Sequence, residues 1–560
     1  MENQRLILFI ALSLVMLMLY NAWQEQFKPH PVASTSTSSE STPASTKPQD
    51  LPTAIPSTAP TAQAPAAGTP TTTPAQAAIV SHQRVHVKTD LLDVEIDTTG
   101  GDIRRLALVK YPKHLNTPDQ PVEFFDDRLP HLFVAQSGLL SSTGQSVDHH
   151  TVFTSDKTDY TLAAGDKELK VVLHWKGDNG LIVTRTYTFH RDSYVIDMNV
   201  AVDNTTAKDW SGRLYCQLQR TEVADTDKSR FVNTFMGAVV SSPANKYQKI
   251  KFKDMAGWKP EESFIKGGWV AMVQHYFLGA WIPSKDTAIH FYASEVNGGR
   301  YIIGTQTSET KVAAGKTGQF SSKLFVGPKI QKRLDAAAPN LRLTVDYGAL
   351  TILADPIFWL MGKIHGVLNN WGWSIIFVTL IVKLLFYKLS EASYRSMANM
   401  RKFQPKLQAL KERYGDDKQR MSQAMMEIYK KEKINPLGGC LPMVVQIPVF
   451  ISLYWVLLES VELRQADFIL WIHDLSTKDP YYVLPLIMGV SMLIQQRLNP
   501  APMDPVQKRV MQMLPIVFTL FFAFFPAGLV LYWVVNNILS ILQQWYITRK
   551  IEAQAATPNK

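Results

Sequence analysis

Lys383 stands in an otherwise apolar run of twelve residues, 375–386, whose only other polar member is Thr379. A charged side chain at the centre of a membrane-spanning helix costs about 2.5–3.5 kcal/mol on insertion scales, so a functional reason is expected. One hypothesis is that Lys383 faces a water-filled cavity in a helix bundle, with Thr379 one turn away on the same face. The other is that Lys383 snorkels to the membrane surface, since Lys388 follows only about 7.5 Å further along the helix.

Other apolar segments of the sequence also contain isolated polar residues. In the last segment they recur at i, i+4, i+7 and i+11: Trp533, Asn537, Ser540 and Gln544. Two earlier segments contribute Gln446, Ser491, Gln495 and Gln496. Each of these residues alone is more often a hydrogen-bonding contact between helices than a site. Together with a lysine they predict a hydrophilic groove open to the cytoplasm, with these candidate substrate-contacting residues: Lys383, Thr379, Gln446, Gln496, Trp533 and Asn537.

No pattern typical of catalysis accompanies the groove residues. The sequence has no nucleotide-binding loop, no zinc-protease helix and no serine-centred elbow. Its two cysteines, Cys216 and Cys440, exclude a disulfide scaffold and a multi-cysteine metal site. His149 and His150 are an isolated pair without an evident carboxylate partner, which predicts a surface loop. We therefore expect no catalytic residue, no cofactor and no metal.

The groove residues lie on five predicted membrane spans, at about 373–387, 441–458, 482–494, 513–525 and 529–546. The tripeptide Pro526-Ala527-Gly528 turns the last two into a hairpin. A helix of 13 residues is only about 20 Å long, whereas the hydrocarbon core is about 30 Å thick. Such short spans are expected to thin the bilayer locally.

The preceding sequence predicts four further regions. Residues 1–23 form an apolar signal anchor, for which a cleaved signal peptide is the alternative, and residues 24–80 form a disordered linker rich in Pro, Ser, Thr and Ala. Alternating apolar and polar residues separated by glycine-rich turns predict a large exported antiparallel β-sandwich at 81–345. Residues 346–372 carry an apolar helical stripe and Trp359, which predicts an amphipathic helix in the membrane interface.

Charge distribution sets the predicted orientation. The 560-residue chain has a formal net charge of +10. The segment 391–438, predicted to be a helical hairpin, contains eleven Lys and Arg against six Asp and Glu, whereas 459–480 contains two against five. Basic loops remain in the cytoplasm. The predicted protein is therefore a polytopic bundle of six spans, with a five-span core at 373–550, a cytoplasmic tail at 551–560, both termini inside and the β domain outside.

Several segments resemble the YidC/Oxa/Alb family of membrane protein insertases. The resemblance is carried by Gln404-Pro405-Lys406, Gly415-Asp416-Asp417-Lys418-Gln419-Arg420, Asn435-Pro436-Leu437-Gly438-Gly439-Cys440, Val461-Glu462-Leu463-Arg464-Gln465-Ala466, Trp471-Ile472-His473-Asp474-Leu475, Asp479-Pro480-Tyr481-Tyr482 and Phe525-Pro526-Ala527-Gly528-Leu529. It is specific over about 355–548. Over residues 1–350 it rests mainly on the order of anchor, tether and β domain.

This resemblance implies an insertase and chaperone of the bacterial inner membrane that works alone or beside the Sec translocon. It implies a periplasmic β-supersandwich and a groove that holds the polar region of nascent membrane proteins. The family's groove arginine falls at Lys383, which keeps the charge but lacks the planar guanidinium fork. An aromatic residue of the family's last span falls at Trp533.

Other partners and functions are also compatible with the sequence. The hairpin 391–438, with its excess of five positive charges, is compatible with contact to the ribosome or to anionic lipid, or with a plain solvated loop. DNA is not expected as a partner. Two other functions stay open: a solute transporter or channel with Lys383 on the solute path, and a carbohydrate-active β domain on a membrane anchor.

Overall fold

The computed structural model describes residues 50–52, 79–222, 234–296, 299–402, 404–414, 417–431, 441–499 and 505–556. The predicted signal anchor at 1–23, most of the linker at 24–80, Cys440 and the last four residues of the tail lie outside the described residues. Two regions dominate the rest of the chain: a β domain that ends near residue 345, and a set of helices that begins at Thr351.

The β domain contains twenty strands in the described residues. In chain order they are Arg84–Lys88 (β1), Leu92–Asp97 (β2), Ile103–Pro112 (β3), Pro121–Phe125 (β4), Phe133–Ser141 (β5), Thr154–Ser155 (β6), Asp159–Thr161 (β7), Glu168–Lys176 (β8), Leu181–His190 (β9), Val195–Asn204 (β10), Trp210–Thr221 (β11), Gly237–Ser241 (β12), Gln248–Ile250 (β13), Ile265–Lys266 (β14), Trp269–Val273 (β15), Phe277–Pro283 (β16), Ala288–Val296 (β17), Arg300–Thr307 (β18), Thr310–Val312 (β19) and Thr317–Pro328 (β20).

These strands form two sheets. One has the order β14-β17-β18-β11-β5-β3-β2-β1-β7, with β4 and β19 added beside β3 and β11, and the other has the order β13-β12-β15-β16-β20-β10-β9-β8-β6. Nearly all pairs are antiparallel, and β1 with β7 is the parallel exception among the described strands. The sheets share one core, where the indole N–H of Trp281 on β16 donates to the carbonyl of Gln217 on β11 at 3.0 Å.

The alternation seen in the sequence corresponds to the two faces of these strands. On β10, Ile196, Met198, Val200 and Val202 are buried while the residues between them are partly or fully exposed. Successive side chains of a strand point to opposite faces, so this period of two buries one face of the sheet. The predicted sandwich thus follows from local sequence pattern.

Two sequence expectations can be placed within the β domain. Cys216 is 2% exposed, and burial raises the pKa of its thiol to about 12, as expected for an unreactive core cysteine. The expectation of a surface loop at His149-His150 is wrong for His149, which is only 1% exposed. Its imidazole lies against the hydroxyl of Tyr215, a partner 66 positions away that local sequence does not reveal.

Eleven α-helices lie in the described residues. They are Phe252–Met255 (α1), Gln331–Ala337 (α2), Thr351–Leu368 (α3), Trp371–Leu385 (α4), Tyr387–Lys402 (α5), Gln404–Tyr414 (α6), Lys418–Lys431 (α7), Leu441–Glu459 (α8), Val483–Leu498 (α9), Pro505–Phe522 (α10) and Ala527–Ala556 (α11). Short 3₁₀ turns occur at Leu341–Thr344, Gly348–Leu350 and Val461–Leu463. Helices α4 and α8 to α11 correspond to the five predicted spans. Their first and last residues differ from the predicted bounds by up to ten positions.

No single helix in the described ranges is both long enough and apolar enough to cross a membrane. One bent pair meets these requirements jointly: Trp371–Leu385 with Tyr387–Ala398, which meet at 67°. Two shorter apolar helical segments, Val445–Glu459 and Val483–Leu498, accompany it.

The segment 387–431 folds as helices α5, α6 and α7, and α6 packs against α7 in a hairpin. Asp417 caps the N-terminus of α7, because its side-chain oxygen accepts the backbone N–H of Arg420 at 3.0 Å. The bend at the end of α4 turns this arm away from the axis of α4. The predicted interfacial helix corresponds to α3, on which Trp359 is 63% exposed and Met361 is buried.

The β domain contacts the helical region through the last residues of α8 and the loop that follows it. The side chain of Arg464 donates to the carbonyl of Pro112 at 2.8 Å, and a ring nitrogen of His275 lies 2.8 Å from the carbonyl of Leu458. The Nζ atom of Lys329 also lies 4.0 Å from Oε2 of Glu459, and both side chains are almost fully buried. Burial lowers the pKa of Lys329, and the carboxylate of Glu459 opposes that shift. A buried Lys329–Glu459 pair is therefore one of the contacts that join the two regions.

We expect Lys329→Met or Glu459→Leu alone to destabilise the protein by about 3–5 kcal/mol, because each leaves one buried charge without its partner. The double variant should recover much of this loss, because both charges are then removed. The shift of the unfolding midpoint of the full-length protein in detergent measures the effect.

The exposed pair Lys170–Glu168, at 3.0 Å, serves as the control, and Lys170→Met should cost less than about 1 kcal/mol. A double variant at 329 and 459 no more stable than the worse single variant would contradict the ion-pair interpretation.

Candidate functional site

Helix α4 places Lys383 in its last turn. The helix begins after Asn370, whose side-chain oxygen accepts the backbone N–H of Trp373 at 3.1 Å, and it ends at Leu385 before the bend into α5. The partial negative charge at the carboxyl end of a helix favours a cation there. The position of Lys383 at the carboxyl end of α4 therefore offsets part of the free-energy cost of burying its charge.

The Lys383 ammonium group is directed into the bundle. The residue is 7% exposed, and its Nζ donates a hydrogen bond to the Ser540 hydroxyl on α11 at 2.8 Å. That hydroxyl in turn donates to the carbonyl of Asn536 at 2.6 Å. Within the described residues, no carboxylate lies within ion-pair distance of Lys383. One positive charge is thus buried against a neutral polar partner.

The polar stripe predicted on the last span lies on the inner face of α11. Asn537 and Gln544 are both 3% exposed. The side-chain N–H of Asn537 donates to the hydroxyl of Ser491 on α9 at 3.0 Å, and Gln544 donates to the carbonyl of Leu498 at 3.2 Å. Helix α11 therefore connects α4 on one side with α9 on the other through a single row of polar side chains.

Thr379 lies one turn before Lys383 and is 1% exposed. Its hydroxyl donates to the carbonyl of Ile375 in its own helix at 2.7 Å, as threonine commonly does within helices. Because its hydrogen is used locally, Thr379 offers an acceptor oxygen to the bundle without requiring a partner on another helix.

Trp533 lies among aromatic side chains, two turns of α11 before Ser540. Its ring is 4.9 Å from Phe450 on α8 and 5.6 Å from Phe522 on α10, measured between centroids. Its indole N–H is buried and has no hydrogen-bond partner among the described residues. An unpaired buried donor is costly, so this N–H is available to a carbonyl that enters the bundle.

The six predicted groove residues are only partly brought together. Lys383 bonds Ser540, which lies three residues after Asn537 on α11, and Thr379 lies one turn before Lys383 on α4. Gln446 on α8 and Gln496 on α9 are half-buried, and in the described part of the chain no hydrogen bond joins either of them to Lys383.

Two residues outside the predicted set complete the polar row: Ser491 and Ser540. Both lie on the stripes recognised in the sequence, so spacing reveals their face. Their partners, however, belong to helices 46 and 157 positions away, and only the packed bundle shows which stripe meets which.

Two family models match the chain. Residues 84–360 match the YidC periplasmic domain, and residues 363–554 match the 60Kd inner membrane protein family. The boundary between the two matches falls within α3, close to the junction of the β domain and the helical region.

Similar full-length proteins are found in other bacteria. A membrane protein insertase YidC of Nitrosococcus oceani is 52% identical over 563 residues, covering 99% of this chain and all of the relative. That of Methylococcus capsulatus is 51% identical over 559 residues, with the same coverage. A crystal structure of an active YidC insertase with its first transmembrane domain resolved is 18% identical, covers 84% of this chain and 93% of its own, and has a TM-score of 0.39.

The hydrogen bond between Asn537 and Ser491 predicts an energetic coupling between α11 and α9. A double-mutant cycle of Asn537→Ala and Ser491→Ala should give about 0.6 kcal/mol, and at most about 1.7 kcal/mol, as found for hydrogen bonds between membrane helices. Unfolding midpoints of the full-length protein in bicelles measure it.

The matched control cycle combines Ser491→Ala with Thr379→Ala. The threonine hydroxyl bonds within α4, so these two changes should be additive. Equal coupling in both cycles would show that the measured energy is not that of the Asn537–Ser491 bond.

Proposed function

Because the chain belongs to the YidC family of membrane protein insertases, we propose that Lys383 and its polar neighbours receive the polar part of a nascent membrane protein during insertion. The protein inserts proteins into the inner membrane and carries a periplasmic β domain. The alternative of a solute transporter finds no support in the family or the relatives.

The observation that carries the proposal is a buried ammonium group that has no carboxylate at ion-pair distance among the described residues. A charge in this position costs free energy that the hydrogen bond to Ser540 does not fully offset, since an ammonium group has three donors. An acidic or carbonyl-rich segment that entered beside α4 and α11 would supply the missing acceptors. The site is therefore complementary to a substrate rather than to its own helices.

The groove proposed here extends along one row of α11. Lys383 and Thr379 line its α4 side, Asn537 marks its α9 side, and Trp533 marks its far end with an unpaired indole N–H. We propose that Gln446 and Gln496 lie at the rim of this groove. Each of these groups forms and releases hydrogen bonds with the backbone of the substrate. No covalent bond is made or broken, so this function needs no cofactor and no catalytic residue.

We further infer that burial of the substrate's apolar segment in lipid supplies the free energy of insertion. The groove lowers the barrier for polar residues that must cross with that segment, because it replaces part of their hydration. The shortness of α4, which has 15 residues, and of α9, which has 16, favours a locally thinned bilayer around the bundle.

The proposed topology has six spans: the signal anchor at 1–23 and five that correspond to α4, α8, α9, α10 and α11. The arm formed by α5, α6 and α7 then lies in the cytoplasm, as its excess of basic residues favours. There it meets nascent chains, and its charge suits contact with ribosomal RNA or anionic lipid. Cooperation with the Sec translocon is part of the same proposal.

The charge of Lys383 is tested by three variants in an insertion assay with the full-length protein in proteoliposomes. Lys383→Arg should keep insertion, because the positive charge remains. Lys383→Met should reduce insertion several-fold for substrates with acidic translocated segments, and much less for substrates with neutral segments.

Lys388→Met is the matched control, since Lys388 lies five residues later with a side chain 91% exposed. It removes the same charge from the surface and should leave insertion unchanged. Equal insertion of acidic substrates by the wild-type and Lys383→Met proteins would overturn the proposed role of the charge.

Photocrosslinking locates the substrate directly. A photoreactive amino acid at Thr379 or Trp533 should crosslink to a stalled nascent membrane protein, because both positions face the proposed groove. Leu385, on the same helix as Thr379 but 76% exposed, gives the control for contacts from the lipid side. Crosslinks from Leu385 alone would place the substrate outside the groove.

A further inference from the structure

A second cluster of chemically reactive groups lies in the β domain, far along the chain from Lys383. The side chain of Asp50 reaches two imidazoles: Oδ2 is 3.1 Å from Nε2 of His149, and Oδ1 is 3.2 Å from Nε2 of His150. One ligand atom from each residue lies within 4.8 Å of the others. We propose that these three residues bind a divalent transition-metal ion of the Zn²⁺ type, which fastens the tether at residue 50 to the β domain.

The spacing of the ligand atoms suits such an ion. Zinc binds imidazole nitrogen and carboxylate oxygen at about 2.0–2.2 Å, so neighbouring ligands of a tetrahedral site lie about 3.3–3.5 Å apart. The two nitrogen–oxygen distances observed here, one to each oxygen of the Asp50 carboxylate, are only slightly shorter, so a small rotation of that carboxylate brings one oxygen into place. Two imidazoles with one carboxylate favour Zn²⁺ and similar ions over Mg²⁺ or Ca²⁺, which prefer oxygen ligands alone.

Neighbouring side chains hold His149 in the orientation that a metal ligand requires. The Tyr215 hydroxyl lies 2.6 Å from Nδ1 and also accepts the backbone N–H of His149 at 3.0 Å. A hydrogen bond donated by Nδ1 to this oxygen leaves the lone pair of Nε2 directed at Asp50. Such an outer partner fixes the tautomer and ring orientation of metal-binding histidines.

The backbone of Asp50 is positioned by a residue of the same strand. Gln217, two residues after Tyr215 on β11, donates from its amide to the backbone carbonyl of Asp50 at 3.0 Å. The hydroxyl of Tyr292 donates to the other end of this amide at 2.9 Å, which fixes its orientation. Two alternate residues on one face of this strand therefore position one histidine and the backbone of Asp50.

The cluster also has an entry path. His149 is 1% exposed, whereas the side chain of His150 is 44% exposed and that of Asp50 is 21% exposed. An ion can approach from the side of His150, and a water molecule can occupy a fourth position there. Three protein ligands with one open position form a recognised zinc arrangement. The expectation from sequence that the chain holds no metal is replaced by this proposal.

The test is a Zn²⁺ titration of the tag-free full-length protein in detergent after removal of metals by a chelator. We expect one tightly bound equivalent by calorimetry and elemental analysis. Asp50→Asn and His150→Gln should each weaken binding at least tenfold. Tyr215→Phe should weaken it about tenfold through loss of the outer hydrogen bond. Zn²⁺ should also protect the chain near residue 50 from proteolysis, and a chelator should reverse that protection.

His190→Gln is the matched control, because His190 also pairs with a carboxylate, that of Asp197 at 2.7 Å, but has no third ligand within the described residues. It should bind Zn²⁺ as the wild type does. Thermal melts without metal show whether each variant is folded. Absence of saturable binding, or binding unchanged in both Asp50→Asn and His150→Gln, would overturn the proposal and leave only a hydrogen-bonded contact.

Discussion

The helical region is organised around the ammonium group of Lys383, which has left water and found a serine hydroxyl as its partner. Burial of a charge costs several kcal/mol, and a protein retains such a cost where the charge is used. The position at the carboxyl end of α4 reduces this cost through the helix dipole, and the hydroxyl of Ser540 reduces it further. Helices α4 and α11 meet at that contact, and the polar row on α11 also reaches α9 through Asn537.

Two different kinds of contact hold the molecule together. The β domain is stabilised mainly by burial of alternating apolar side chains between two sheets, a driving force that is roughly proportional to apolar area and requires no specific partner. The helical bundle, surrounded by lipid in the proposed function, gains little from apolar burial between helices and depends more on packing and polar contacts. This difference explains why the few polar side chains of the bundle are also the candidate functional residues.

The junction between these regions and the cluster at Asp50 both join residues that are far apart in sequence. Lys329 and Glu459 are 130 positions apart, and Asp50 and His149 are 99 positions apart. In each case a segment distant in the chain contacts the β domain through charged or imidazole groups. Such contacts are specific in geometry, and each is sensitive to the loss of a single partner.

The sequence by itself determined the two-part architecture and the inner face of α11, and it singled out Lys383 as a candidate site residue. These features are local: strand alternation, helical spacing and one charge in an apolar run are each visible within about twelve residues. Only the tertiary structure decided that Lys383 meets Ser540, that Gln446 and Gln496 form no hydrogen bond with it in the described part of the chain, and that His149 is buried opposite Asp50. These are contacts between distant segments, and they depend on how helices and sheets pack, which local residue spacing does not encode.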